Sequence, residues 1–171
     1  MAKRTIITAP DRRLKQRSKP VEKVTESIQK LMDDMVETMY AAPGIGLAAP
    51  QIGVLKRIIV VDVSGYDREP GEEQLYCLAN PEIIEKTGEI SWKEGCLSVP
   101  EFNEDVIRAD QIKVQALDRN NQPVIIEASG LLSVCLQHEI DHLDGLLFID
   151  HISRLKRSII LQKLKKQKRL D

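Results

Sequence analysis

No stretch of this 171-residue chain approaches the ~18 consecutive apolar residues of a membrane-spanning helix, and the basic start Met1-Ala2-Lys3-Arg4 leads into no secretory apolar core. The Arg/Lys-rich run to Lys19 is broken by Asp11, which a transit peptide would avoid, so a cytoplasmic protein without a membrane partner is expected. Net charge is almost absent: 25 Lys+Arg against 26 Asp+Glu leave −1, too little for a global field that would draw nucleic acid or membrane. Cysteine is scarce and odd in number, three in all, which excludes a disulfide framework and favours a reducing compartment. Repeats and low-complexity linkers are missing too. With 42% hydrophobic residues, residues 1–171 are long enough for one domain with a real core and too short for two.

Against these absences stands His138-Glu139-Ile140-Asp141-His142, an H-E-x-x-H run inside an apolar stretch that begins at Leu131. Residues four apart share a helical face, so two imidazoles reach one divalent metal while Glu139 faces a water beside it. A chance match decorating a solvated helix is the competing reading, and this motif alone does not decide between the two.

A catalytic metal site needs a third protein ligand. The H-E-x-x-H-x-x-G-x-x-H extension fails, because Gly145 fits but Phe148 occupies the last position. An extension that recruits a downstream Glu fails as well, since no Glu follows Glu139. His151, a few Asp residues and the cysteines Cys77, Cys96 and Cys135 remain, and they point to a thiolate. Cys135 shares a face with His138 but lies ~10 Å of helix rise from His142, which suits a buried core residue better. Cys77, in Leu75-Tyr76-Cys77-Leu78-Ala79, reads as strand interior. Cys96 sits in Glu94-Gly95-Cys96-Leu97-Ser98-Val99-Pro100, where Gly and Pro let backbone approach a site closely; spacing alone leaves a structural role open beside the ligand role.

The coarse pattern is α+β. From Thr25 to Tyr40, apolar Ile28, Leu31, Met32, Met35, Val36, Met39 and Tyr40 recur at helical spacing, ended by Pro43 and Gly44. Arg57 to Val63, Gln74 to Ile84 and Lys113 to Leu117 read as strands, and Asn120-Asn121-Gln122-Pro123 as a turn into Val124-Ile125-Ile126. Leu131 to Leu143, apolar nearly all round, reads as a buried helix stopped by Gly145. Tyr66 to Glu73 is the best candidate for a mobile loop.

Three short motifs occur in order: Gly44-Ile45-Gly46-Leu47-Ala48-Ala49-Pro50-Gln51, Glu94-Gly95-Cys96-Leu97-Ser98, and Gln137-His138-Glu139-Ile140-Asp141-His142. With them the chain resembles the peptide deformylases, from Ile7-Thr8-Ala9-Pro10-Asp11 to the basic C-terminus. The resemblance implies a single α+β domain of mixed, mainly antiparallel sheets around the metal helix, with an N-terminal and a C-terminal helix. It implies hydrolysis of the formyl group from N-formylmethionyl peptides, releasing formate, with Cys96, His138 and His142 holding one divalent metal. Fe(II) is the family's usual ion, with Zn(II), Ni(II) or Co(II) compatible with the same ligands. Glu139 would take a proton from the attacking water and later give it to the departing amine. The side-chain amide of Gln51 and the backbone N–H of Leu97 would stabilise the developing oxyanion. Gly46 is carried over with both the catalytic and the substrate-binding groups, and Ile45, Leu131, Cys135 and the ring of His138 would wall the methionine pocket. Glu94 is carried to the same pocket, although a role in supporting the site fits equally well.

Two departures from the family pattern stand out. Asn103 lies near the place where many bacterial relatives carry an Arg that contacts substrate, and Ser129 replaces an acidic residue before the metal helix, where it can serve as a cap. The C-terminal segment 153–171 is basic, with Arg154, Lys156, Arg157, Lys163, Lys165, Lys166, Lys168 and Arg169 interleaved with leucine and isoleucine. A solvated terminal helix with one docked face is one reading. Electrostatic docking beside the ribosomal exit tunnel, as the resemblance implies, is the other, with the protein acting as a monomer. A general metallopeptidase and a ribosome-bound module without catalysis are the alternative functions.

Overall fold

The computed structural model describes residues 2–64 and 74–170; the expected mobile loop, Tyr66 to Glu73, lies outside the described residues. Helix α1 spans Glu26–Ala41, and the Thr25 hydroxyl caps it by accepting from the Ile28 N–H at 3.3 Å. Most of its apolar stripe is used, with Met32, Met35 and Met39 completely buried, but Tyr40 at its end is 49% exposed.

Five strands, β1 (Gly46–Ala48), β2 (Ile58–Val61), β3 (Tyr76–Thr87), β6 (Gln111–Leu117) and β7 (Pro123–Ser129), form an antiparallel sheet in the order β1-β2-β3-β6-β7. The run Ile58-Ile59-Val60-Val61 explains why β2 lies inside it. Alternate side chains point to opposite faces, and here both faces are covered. Ile59 and Val61 join the core beneath helix α2 (Gly130–Leu143), while Ile58 and Val60 join the core beneath α1.

The Gly- and Pro-punctuated segment around Cys96 is the turn of a two-stranded hairpin, β4 (Ile90–Cys96) and β5 (Val99–Arg108). Alternation is masked there because β4 is mostly solvent-facing, with Glu94 its one buried residue. Helix α3 (Arg154–Leu170) lies across this hairpin and seats Ile160 and Leu164 in a third cluster with Val99, Val106 and Phe148. The architecture is α+β, as the sequence pattern predicts.

Helix α2 is positioned at both ends. Gly130 adopts φ +58° at its start, and Ser129, expected to cap the helix, makes no side-chain capping bond. At the far end Arg57 Nη1 and the Ser18 N–H both donate to the Leu143 carbonyl, at 3.0 and 2.8 Å. Gly145 then turns the chain with φ +76°, and a Cβ there would sit 2.5 Å from the Lys15 carbonyl oxygen. No helix among the described residues is long and apolar enough to cross a membrane.

Candidate active site

The metal helix α2 is buried on nearly every side, which places His138, Glu139 and His142 under the sheet rather than in water. The β4–β5 turn brings Cys96 to them: one ligand atom from each of Cys96, His138 and His142 falls within 4.8 Å of the others. Cys96 Sγ is 3.4 Å from His142 Nε2. Two donors on one tetrahedral ion stand ~3.5 Å apart, so the trio already has nearly the spacing such an ion needs. Cys135 and Cys77 stand outside this group; Cys135 lines the adjoining pocket, and Cys77 is half-buried in β3.

Electrostatics favour a cation at the same point. Burial works against protonation of His138, but contacts with Cys96 and Glu94 outweigh it and hold its pKa well above the ordinary value. His142 is pushed the other way, first by burial and then by the positive charge that His138 carries when protonated. The trio therefore attracts one positive charge and shares it poorly as a proton, and a metal ion fits the donor set.

His138 Nδ1 lies 2.8 Å from Glu94 Oε1, which leaves Nε2 for the centre of the site. Glu94 in turn accepts a bidentate pair from Arg108 Nε and Nη2, both at 2.8 Å, with both side chains almost wholly buried. Burial alone would raise the Glu94 pKa, but Arg108 and His138 together hold it below the usual carboxylate range. Arg108 continues to Asp141 Oδ2 at 2.5 Å. Gln137 ties the end of β5 to the helix in both directions, accepting from the Ala109 N–H and donating to its carbonyl.

Glu139 is buried beside the trio, and its Oε1 has no hydrogen-bond partner. Burial pushes its carboxyl up to about 7, into the range where a group exchanges protons at neutral pH. Gln51 is held on the opposite wall. Its Oε1 accepts from the Ala48 N–H at 2.9 Å, so its Nε2 must face the site, where it donates to Ser98 Oγ at 3.1 Å and approaches Cys96 Sγ at 3.6 Å.

These side chains line one cavity of about 360 Å³. Ile45, Gly46, Gln51, Glu94, Leu97, Leu131, Cys135, His138 and Glu139 all reach it, as do Cys96 and Asn103. His142 is among the metal-spaced trio but not among the cavity walls, so it sits behind them. The sequence pattern missed Trp92, Lys93 and Val134, which also line it, and the Arg108–Asp141 pair behind the walls. The signal that could have found Arg108 is an arginine two residues after Val106, in the inward register of the same strand.

Matches with known proteins agree with this geometry. A model of the polypeptide deformylase family matches residues 3–158. A peptide deformylase of Methylocella silvestris is 54% identical over 172 aligned residues, covering 100% of this chain and 88% of that protein. The chain belongs to the polypeptide deformylase family. Among solved deformylases, that of Legionella pneumophila superposes with a TM-score of 0.89 at 49% identity, covering 99% of this chain and 97% of the other. The deformylase of Ehrlichia chaffeensis in complex with actinonin reaches 0.92 at 46% identity, covering 99% of each chain. The deformylase fold thus extends through nearly all of this chain.

Proposed function

We propose that this protein removes the N-terminal formyl group of N-formylmethionyl polypeptides, giving formate and a free terminal amine. It is a hydrolase of the deformylase family, and the family acts on formyl-Met nascent chains. The observation that carries the reading is a Cys96–His138–His142 donor set within 4.8 Å, beside a buried Glu139 whose Oε1 has no partner, at a cavity of about 360 Å³.

Cys96, His138 and His142 would hold one divalent metal. Fe(II) is the leading candidate, and Zn(II), Ni(II) or Co(II) suit a thiolate with two imidazoles. When bound, such an ion polarises the formyl carbonyl and makes water more acidic. Glu139, which lines the cavity and whose Oε1 has no partner, takes the proton of the attacking water and returns it to the departing nitrogen. Gln51 Nε2 and the Leu97 N–H donate to the oxygen on which negative charge grows. Glu94 holds the His138 ring. Gly46 leaves room for the Glu139 carboxyl and for substrate backbone, and Ile45, Leu131, Cys135 and the His138 ring enclose the methionine side chain.

The protein acts in the cytoplasm as a monomer. The outer, lysine-rich face of α3 docks it on ribosomal RNA near the exit tunnel, while Ile160 and Leu164 keep the inner face on the domain. The deciding experiment is formate release from a formyl-Met tripeptide by anaerobically purified protein loaded with Fe(II) or Ni(II). Rapid release with the unformylated tripeptide left intact is expected. Cleavage of that second peptide, or no release from metal-loaded protein, would overturn the assignment.

A further inference from the structure

The short 3-10 turn Phe148–His151, immediately after the metal helix, touches His138 by two separate routes. The first is direct: the Phe148 ring is stacked on the His138 ring, centroids 6.3 Å apart and 21° from parallel, with Phe148 almost fully buried. The second is polar. His151 Nε2 lies 2.7 Å from Asp141 Oδ2, the same oxygen that accepts from Arg108 Nη1. Arg108 then clasps Glu94, and Glu94 meets His138 Nδ1.

Burial falls steadily along this chain. The side chains of Glu94 and Arg108 are 3% and 4% exposed, that of Asp141 20%, and that of His151 36%. The outer end opens on a second cavity of about 370 Å³, separate from the substrate pocket, with Gln137, Asp141 and His151 among its walls. Charge-assisted hydrogen bonds weaken where water competes for them. Arg108 and Asp141 line that cavity too, and the His151 imidazole occupies one side of the oxygen they share. The turn itself is fastened: Asp150 accepts from the Leu147 N–H at 2.8 Å and is paired with Lys15 and Arg157.

We infer that His151 is a positioning residue for the metal centre, closing from the surface the Asp141–Arg108–Glu94 chain that orients His138, while Phe148 of the same turn fixes the other side of that ring. The inference rests on Cys96, His138 and His142 being the metal ligands. A partner hydrogen-bonded directly to a ligand typically changes metal affinity ~10–100-fold; His151, whose Nε2 also lies 3.4 Å from Arg108 Nη1, acts through Arg108 and Glu94 rather than on His138 itself, so a smaller effect, about 3- to 10-fold, is expected.

The test compares wild type, His151→Ala and His151→Gln, each loaded with Co(II), by the rate of metal loss to excess chelator and by the Co(II) absorption spectrum. The thermal midpoint of chelator-treated protein is measured in parallel. His151→Ala should lose Co(II) about 3- to 10-fold faster with an altered spectrum. His151→Gln, whose amide can still donate to Asp141, should stay near wild type. Equal rates in all three proteins would overturn the inference, as would a lowered thermal midpoint in His151→Ala with metal loss unmoved. Failure of wild type to take up one equivalent of Co(II) would instead sink the ligand assignment, and the inference with it.

Discussion

Gly46 and Glu139 are packed so closely that a Cβ on Gly46 would lie 2.4 Å from Glu139 Oε2, with Cys135 Sγ at 3.0 Å on the other side. The absence of a side chain on β1 is therefore what lets the buried carboxyl stand where it does. Gly46→Ala must displace Glu139. It should lower kcat/KM at least about tenfold while costing about 1–3 kcal/mol in stability, the usual range for overpacking. Steady-state kinetics and thermal melts check both.

Glu139→Gln keeps the shape and removes the carboxylate proposed as the base. Formate release should fall by ~10²–10⁴, with bound metal unchanged by elemental analysis. The same variant has a stability signature. Burial raises the folded-state pKa of Glu139 to about 7, so its ionisation opposes folding, and wild type loses stability as pH climbs from the ordinary carboxyl range through 7. In chelator-treated protein, Glu139→Gln should melt higher than wild type at pH 8, with the difference vanishing near pH 4.

Acid should act through the opposite pair. For Glu94 and Asp141, burial alone would raise the pKa, but Arg108 and the imidazoles that face them hold both below the usual range. Their contribution to stability is present above the ordinary carboxylate pKa and disappears as pH falls through the depressed values. Arg108→Gln removes the shared cation and leaves buried carboxylates uncompensated, at a cost of about 3–5 kcal/mol near neutrality. Its acid-unfolding midpoint should lie at higher pH than that of wild type. Coincident midpoints by circular dichroism would refute the coupling.

The two faces of α3 should separate experimentally. Leu164→Ala, at a side chain 3% exposed, should destabilise the fold by about 2–5 kcal/mol. Lys165→Glu with Lys166→Glu, on the exposed face, should leave the melt within about 1 kcal/mol yet abolish salt-sensitive co-sedimentation with ribosomes. Undiminished sedimentation of the double variant would remove RNA docking from the account of this helix.

Much of this protein was legible in one dimension. The helical recurrence of Ile28, Met32, Met35 and Met39 and the continuous apolar run of β2 report local periodicity, which depends only on near neighbours in the chain. The β4–β5 hairpin was not legible as strands, because β4 mostly faces solvent and the inward positions of β5 include Glu104 and Arg108, which hide its alternation. Ser129 shows the limit for caps: the right residue type stands at the helix start, yet its side chain makes no capping bond.

The same division runs through the site. The sequence by itself determined that His138 and His142 lie one turn apart on a buried helix with Glu139 between them, because 3.6 residues per turn leaves no freedom within a helix. Only the tertiary structure decided that Cys96 and not Cys135 shares their 4.8 Å cluster, that Gly46 opens space for Glu139, and that Arg108 and His151 stand behind His138. Those relations join segments that the chain separates by tens of residues. They are set by how sheet, hairpin and helices pack, which no local period records.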